Sequence, residues 1–426
     1  MTTYLYPNKS EWGEIVKRPT FDNSQLRDLV GGLLQQIREG GDKVLRELEA
    51  KFDHCTLTDL QVSADEFAEA RRVIAPELAD AIDNASRNIH DFHASQKFDC
   101  VKVETQPGVV CWQKSIPIDK VGLYIPGGTA PLFSTVLMLA IPAKIAGCGE
   151  IVLCTPPNAE GKVNPAILYA ATVAGVTKVY KVGGVQAIGA LAYGTESVPK
   201  VYKIFGPGNQ FVQMAKQLVS LRDVAIDMPA GPSEVCVVAD ADANPEYVAS
   251  DFLSQAEHGA DSQAILVTDS EALAKKFETV MAAQLESLKR QELTRKSLEH
   301  SKVIVLRNQD EVMELVNEYA PEHLILNTRN YATLADKVRN AGSVFLGPFS
   351  PESAGDYASG TNHTLPTNGY AKAYNGVNLD SYMRKVTFQE LSADGLRSLG
   401  PIIEVMAQNE QLDAHKNAVT VRLRNL

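Results

Sequence analysis

A chain of 426 residues, 45% hydrophobic and 22% charged, exceeds one ordinary domain and carries apolar surface for two or three cores, which excludes an extended disordered protein. The formal net charge of -11, with basic residues scattered along the chain, excludes an electrostatic footprint for nucleic acid or anionic membrane. Small molecules and protein partners remain.

The first residues, MTTYLYPNKSEWGEIVKRP, form a polar arm without the basic start and apolar run of a signal peptide, so a cytoplasmic protein is expected. Leu26, Leu29, Val30, Leu33, Leu34 and Ile37 then recur at helical spacing up to Gly40-Gly41, and a second helix follows through Val44, Leu45, Leu48 and Phe52. His90 and His93 form an i, i+3 pair with no further ligand nearby and read as structural; His54 and His300 have no context. Six cysteines without a CxxC spacing, in a chain too large to need staples, read as reduced thiols.

From about residue 120 short apolar runs dominate: VGLYIP, EIVLCTPP, TKVYKVGG, VYKIFGPGN, EVCVVAD, AILVTDS, KVIVLR, HLILN and SVFLG. Helical segments lie between most of them and several end in Gly or Pro, the texture of parallel sheets with helical crossovers, hence an α/β fold. VGLYIPGG starts one set of units and EVCVVAD another. The apolar stretch APLFSTVLMLAIPAKIAG is interrupted by Pro142 and Lys144 before it could span a membrane and reads as core. The fingerprint GxGxxG is absent, but IPGGTA, VGGVQAIGA and FGPGN follow strand-like runs, and amides exposed at such turns can bind anionic groups or simply make tight turns.

Asn244 and Pro245 signal a helix start, with the helix running on towards Gly259. Asp251, Gln255 and His258 would share one face, offering an amide oxygen and an imidazole to a metal or, equally, a solvated polar face. In EYAPEHLIL, Pro321 disfavours helical geometry at Ala320 and sets Glu322 and His323 at a helix-to-strand turn. A carboxylate beside an imidazole provides two groups tunable for proton transfer; the dipeptide alone reads more readily as a surface Glu beside a strand-capping His.

Residues 347–376 are rich in Gly, Ser, Thr and Asn without apolar periodicity and read as a long irregular loop carrying Asp356 and His363. A helix follows through Ile402, Ile403 and Met406, and the terminal NAVTVRLRN alternates like a strand, just after His415. Gln255, His258, Asp356 and His415 together would mix oxygen and nitrogen donors, a set suited to zinc or a neighbouring divalent metal. No HExxH motif is present.

VGLYIPGGTAPLFSTVLMLAIPAKIAGC, KIFGPGNQFV, DMPAGPSEV, SQAEHGADSQ, YAPEHL, SAGDYASGTNHTLPT and AHKNAVT together resemble the histidinol dehydrogenase family, in that family's order and across nearly the whole chain. The resemblance implies zinc ligands at Gln255, His258, Asp356 and His415, which also face the substrate, and an acid-base pair at Glu322 and His323. It further implies Ser233, His323, His363 and Glu410 around the substrate and Tyr124, Gln186 and Asn209 on NAD.

The activity implied is oxidation of L-histidinol to L-histidine through L-histidinal in two NAD-dependent steps ending histidine biosynthesis, with one zinc per site positioning the substrate. His323 would be the base of both oxidations and Glu322 would activate water. The implied fold has two larger sheet domains, incomplete relatives of the Rossmann arrangement and aldehyde-dehydrogenase-like, with small terminal segments exchanged in a homodimer.

The expected organisation is an N-terminal arm over 1–21, a substrate and metal domain over 22–120 and 235–376, an NAD domain over 121–234, and a swapped segment over 377–426. The rival readings are a related zinc and NAD dehydrogenase of another small polar alcohol, a thiol-dependent aldehyde dehydrogenase using Cys154 or Cys236, and a non-catalytic binding protein. Both cysteines sit in apolar runs that read as buried and inert.

Overall fold

The computed structural model describes residues 1–18, 24–127 and 130–426. Gly128 and Thr129 of the IPGGTA turn, and the expected arm boundary at 21–22, lie outside them. The strands in chain order are Thr2–Leu5 (β1), Lys102–Gln106 (β2), Val109–Pro117 (β3), Lys120–Tyr124 (β4), Glu150–Thr155 (β5), Lys178–Lys181 (β6) and Lys203–Phe205 (β7). Ala225–Ile226 (β8), Glu234–Ala239 (β9), Gln263–Thr268 (β10), Lys302–Val305 (β11), His323–Asn327 (β12), Ser343–Leu346 (β13) and Met383–Leu391 (β14) complete them. Each apolar run expected to be a strand contains one.

Two parallel sheets result, one ordered β6-β5-β4-β7-β8 and one ordered β1-β11-β10-β9-β12-β13. Each grows outward from a central strand, β4 or β9, in one direction and then returns to its other side, which is the doubly wound pattern with a switch point beside that strand. β5, β9, β10 and β12 are buried almost end to end because helices cover both sheet faces. A third, antiparallel sheet, β14-β3-β2, was not legible in the sequence.

The helix Ser24–Phe52 joins the two helices expected around Gly40-Gly41: the stop is a kink, with Gly41 at φ 52° and ψ -139°. Val30, Leu34, Ile37, Leu45 and Leu48 of this helix pack against the helix Gly184–Tyr193 and one face of the β4–β8 sheet. Ile82, Ala85 and Ile89, from the helix Pro76–Ala94, pack with the helix Phe133–Ala146 on the other face. The expectation that 22–120 shares a domain with 235–376 therefore differs from the packing, because the apolar stripes of 24–94 are buried on the other sheet.

The N-terminal arm adds β1 to the six-stranded sheet of its own chain, parallel to β11, with Trp12, Ile15 and Val16 buried beneath it. The C-terminal run expected to be a strand is instead the helix Asp413–Leu423. Val419 and Leu423 meet the helix Ala393–Asn409 at Gly400, where an added Cβ would approach Leu423 Cδ1 to 2.9 Å. That packing overrides the local alternation. No helix among the described residues is long and apolar enough to cross a membrane.

Candidate active site

Ala320 ends the preceding helix in the left-handed region, φ 52° and ψ 67°, as the following proline requires a departure from the helix. Glu322 and His323 thus arrive at the amino end of β12, 5% and 4% exposed. His323 Nδ1 lies 3.2 Å from Glu234 O. A carbonyl can only accept, so Nδ1 carries a proton and Nε2 is the nitrogen left for proton transfer. Nε2 is buried without a hydrogen-bond partner, 3.5 Å from Asp356 Oδ1.

Glu234 organises this corner from the start of β9. Its N–H donates to Glu322 Oε2 (2.8 Å), and its carboxylate accepts from Arg18 Nε (2.5 Å) and Nη2 (2.7 Å) and from Asn368 N–H (2.6 Å). Arg18 also donates to Tyr319 O (2.7 Å) and stacks on the Tyr319 ring at 4.1 Å. None of this frame was foreseen in the sequence.

Asn244 caps the helix Pro245–Ala256 by accepting from Glu246 N–H, as expected, but the helix ends before Gly259. Gln255 is fully buried in its last turn, while His258 lies beyond it, exposed at the rim of the site. The Gln255 side-chain amide lies between the Glu352 carboxylate and the Glu234 N–H, which also serves Glu322.

The long irregular loop is partly helical. Glu352–Tyr357 forms a short helix after Pro351, and its i, i+4 spacing sets Glu352 and Asp356 on one face. His258, Glu352 and Asp356 bring ligand atoms within 4.8 Å of one another. Glu352 is 1% exposed, and its Oε2 is buried and unpartnered. It was missed because it stood in a segment read as loop; Pro351 followed by an acid, with a second acid four residues on, was the available signal.

His363 sits in the same segment. Nδ1 donates to Asp356 O (2.8 Å), so Nε2 accepts from Thr135 Oγ1 (3.0 Å), which ties the loop to the helix Phe133–Ala146 of the other sheet. Ser233 is half-buried just before β9. Glu410 and His415 are exposed on the C-terminal helical hairpin, and no hydrogen bond or ion pair among the described residues joins either to this cluster. His93, buried, donates from Nδ1 to Ile89 O (2.8 Å) within its own helix.

Burial pushes Glu322 up to about 8, against the opposing pull of His323 and the Glu234 N–H. Burial alone would lower His323, but Glu352, Glu322 and Asp356 outweigh it and hold the imidazole well above its usual range. Burial raises Glu352, reinforced by Asp356 and Glu322. Burial would raise Asp356 too, yet the His323 imidazole 3.5 Å away, with His363 and His258, holds it low. Glu322 is thereby brought near neutrality for proton exchange, while the surrounding carboxylates hold the His323 proton.

The cofactor candidates lie elsewhere, at the carboxyl end of the β4–β8 sheet and its switch point. Tyr124, Gln186 and Asn209 line one cleft of about 900 Å³. Tyr124 Oη accepts from Gly184 N–H (3.1 Å), and Asn209 caps the helix Gln210–Ser220 by accepting from Phe211 and Val212 N–H. At Gly206 (φ +127°) an added Cβ would stand 2.1 Å from Tyr124 O, so only glycine lets β7 end this close to β4.

A family profile described as histidinol dehydrogenase matches residues 16–423. The chain belongs to the histidinol dehydrogenase family. It is thereby an oxidoreductase. A histidinol dehydrogenase from Bacteroides fragilis strain YCH46 is 63% identical over 426 residues, covering 100% of both chains. One from Escherichia coli strain K12 is 52% identical over 416 residues, 97% of this chain and 95% of that one.

The crystal structure of histidinol dehydrogenase from Elizabethkingia anophelis matches with a TM-score of 0.98 at 52% identity, covering 100% of this chain and 98% of that one. Lactaldehyde dehydrogenase from Escherichia coli, at 11% identity, covers 88% of this chain and 92% of its own with a TM-score of 0.50. That likeness concerns fold alone, and it agrees with the aldehyde-dehydrogenase-like arrangement expected of this histidinol dehydrogenase family member.

Proposed function

We propose that this chain oxidises L-histidinol to L-histidine through L-histidinal in two NAD-dependent steps, with Glu322 and His323 moving the protons. The observation that carries the reading is His323: its Nδ1–H is committed to Glu234 O, and its buried Nε2 has no partner and faces the donor cluster. In the first step Nε2 takes the hydroxyl proton as hydride leaves the alcohol carbon for NAD. Glu322, held by the Glu234 N–H, removes a proton from the water that adds to the aldehyde. His323 returns its first proton to the aldehyde oxygen as that water adds, and so is neutral again to take the hydrate's hydroxyl proton in the second oxidation.

An imidazole and two carboxylates form a donor set that suits zinc and leaves coordination positions open for a substrate. Gln255, His258 and Asp356 would hold it, with the Glu352 carboxylate beside them and His415 arriving from a second copy. When bound, zinc would neutralise the carboxylates that hold the His323 proton and fix the substrate's imidazole and amine. Ser233, His363 and Glu410 would surround that substrate, and Tyr124, Gln186 and Asn209 would contact NAD.

A homodimer with shared sites is supported by the C-terminal hairpin, where Ile402, Val405 and Met406 are 54%, 61% and 60% exposed beside Glu410 and His415. Such an apolar stripe is the kind a second copy covers. The thiol alternative is disfavoured: Cys154 and Cys236 are buried within β5 and β9, and burial pushes both thiols far above the range of a nucleophile.

The test is NADH formation from purified protein with L-histidinol, with and without a chelator. Two equivalents per histidinol, lost on chelation and restored by zinc, are expected. One equivalent, or indifference to the chelator, would overturn the reading.

A further inference from the structure

Three glycine-rich strand ends read equally as anion sites or as tight turns, and the Gly183–Gly184 turn is closed to an anion. Gly183 N–H donates to Glu49 Oε1 (3.0 Å), and Gln186 Nε2 donates to the same oxygen (3.1 Å). Gly184 N–H donates to Tyr124 Oη. Asp53 Oδ2 is 3.5 Å from Gln186 Nε2, so two carboxylates stand at the amino end of the helix Gly184–Tyr193. They occupy the place where a phosphate would otherwise gain from the helix dipole, and they would repel it.

Glu49 is fully buried, whereas Asp53 is half-buried and lines the cofactor cleft. Burial and the Asp53 charge push Glu49 up, and burial raises Asp53 as well. The Asp53 carboxylate has Gln186 Nε2 at Oδ2 and the Glu49 carboxyl as neighbours. A carboxylate has acceptor positions beyond those two, and one that faces a ligand cleft calls for ligand hydroxyls.

The geometry also says which half of a dinucleotide lies there. The catalytic cluster meets this sheet through Thr135, on the face covered by the helix Phe133–Ala146. Asp53 and Gly183 belong to the opposite face, packed by the helices Ser24–Phe52 and Gly184–Tyr193. The half bound beside Asp53 is therefore the one remote from hydride transfer, and Leu29, Leu33, Phe52 and Pro156 supply apolar walls for a purine.

The surrounding charge adds to this. Among the described residues the cleft is lined by the carboxylates of Asp53, Glu66 and Glu69 but by no arginine. Its lysine, Lys162, pairs with Glu69 (3.2 Å), and nearby Lys181 pairs with Glu66 (3.1 Å).

We propose that Asp53 accepts hydrogen bonds from the adenosine ribose hydroxyls of the dinucleotide and is the residue that excludes a 2′-phosphorylated cofactor. The proposal rests on the NAD-dependent reading above. A 2′-phosphate would place a second anion against Asp53 where the lining lysine, Lys162, is already paired with Glu69, whereas a 2′-hydroxyl supplies a further donor to its carboxylate.

The test uses the full-length enzyme with L-histidinol and either NAD or NADP, together with dinucleotide affinities measured calorimetrically without histidinol. The unmodified enzyme should favour NAD by about 100-fold or more in kcat/KM, and Asp53→Asn, which keeps an acceptor for Gln186, should narrow that ratio at least tenfold. The change should lie in KM and affinity, with kcat at saturating NAD within about threefold.

Asp53→Ser should narrow the ratio further; if it fails to fold, Asp53→Asn decides alone. An unchanged ratio, or equal weakening of both dinucleotides, would overturn the proposal while leaving the dehydrogenase reading intact. Turnover with neither dinucleotide in the unmodified enzyme would instead overturn that underlying reading.

Discussion

Replacing Arg18 by alanine would leave the Glu234 carboxylate without its counter-ion. In the native chain Glu234 is 2% exposed and receives two guanidinium bonds at 2.5 and 2.7 Å. Removing one partner of a buried pair costs about 3–5 kcal/mol, because the remaining charge is uncompensated. Loss of the bond to Tyr319 O and the stacking on its ring adds to this.

The same substitution should lower kcat at least tenfold, about 1.4 kcal/mol in activation free energy, because Glu234's amide and carbonyl orient Glu322 and His323. Urea unfolding followed by fluorescence is the assay, since Trp12 is buried in the core behind this corner. The decisive comparison is the double variant Arg18→Ala, Glu234→Gln. A neutral amide can still accept from Asn368 N–H, so the double variant should recover all but about 1–2 kcal/mol. A double variant no more stable than Arg18→Ala, or an Arg18→Ala protein within about 0.5 kcal/mol of the parent, would refute the argument from orphaned charge.

His323→Asn should reduce both oxidations by about 10² or more, whereas Glu322→Gln should spare the first more than the second; separate assays from histidinol and histidinal check the split. Asp251, 8% exposed, is pushed by burial up to about 7 from an ordinary 3.8. The folded state thus holds its proton more tightly, and the associated stability is full below about pH 4 and lost as pH rises through 7. Asp251→Asn should match the parent in acid and exceed it at pH 8 by up to about 4 kcal/mol in denaturant titrations. Gly206→Ala should cost more than about 3 kcal/mol and weaken dinucleotide binding, read by thermal melting and calorimetry. Mixing inactive His258→Asn and His415→Asn subunits under exchange should restore about a quarter of parental activity, one intact site in half of the dimers; no recovery would show that His415 serves its own chain.

The sheets were legible because buried parallel strands are written as short apolar runs that end in Gly or Pro, as in VGLYIP and EVCVVAD. The partition of the helices was not legible. The stripe Val30, Leu34, Ile37 states that a face is buried but carries no address, and only the assembled packing assigns it to the β4–β8 sheet. NAVTVRLRN failed for a related reason: Val419, Val421 and Leu423 alternate over too few residues to separate period 2 from a helix whose contacts are made at Gly400.

In the site, Glu322, His323, Asp356 and His363 were visible as residue types near turn signals. Glu352, Glu234 and Arg18 were not, because acids and arginines are common in sequence and become informative only when burial removes their water. Asp53 escaped notice for the same reason, being one acid at the end of a long helix.

The proposed proton-transfer groups stand at the amino ends of β9 and β12, while the proposed cofactor cleft opens at the carboxyl ends of β4 and β7, in a different sheet. On those roles, substrate choice and coenzyme choice are written in separate stretches of chain that meet along a seam that includes the Thr135–His363 and Asn362–Met138 contacts. Redesign of one should leave the other's vocabulary untouched, provided that this seam is kept.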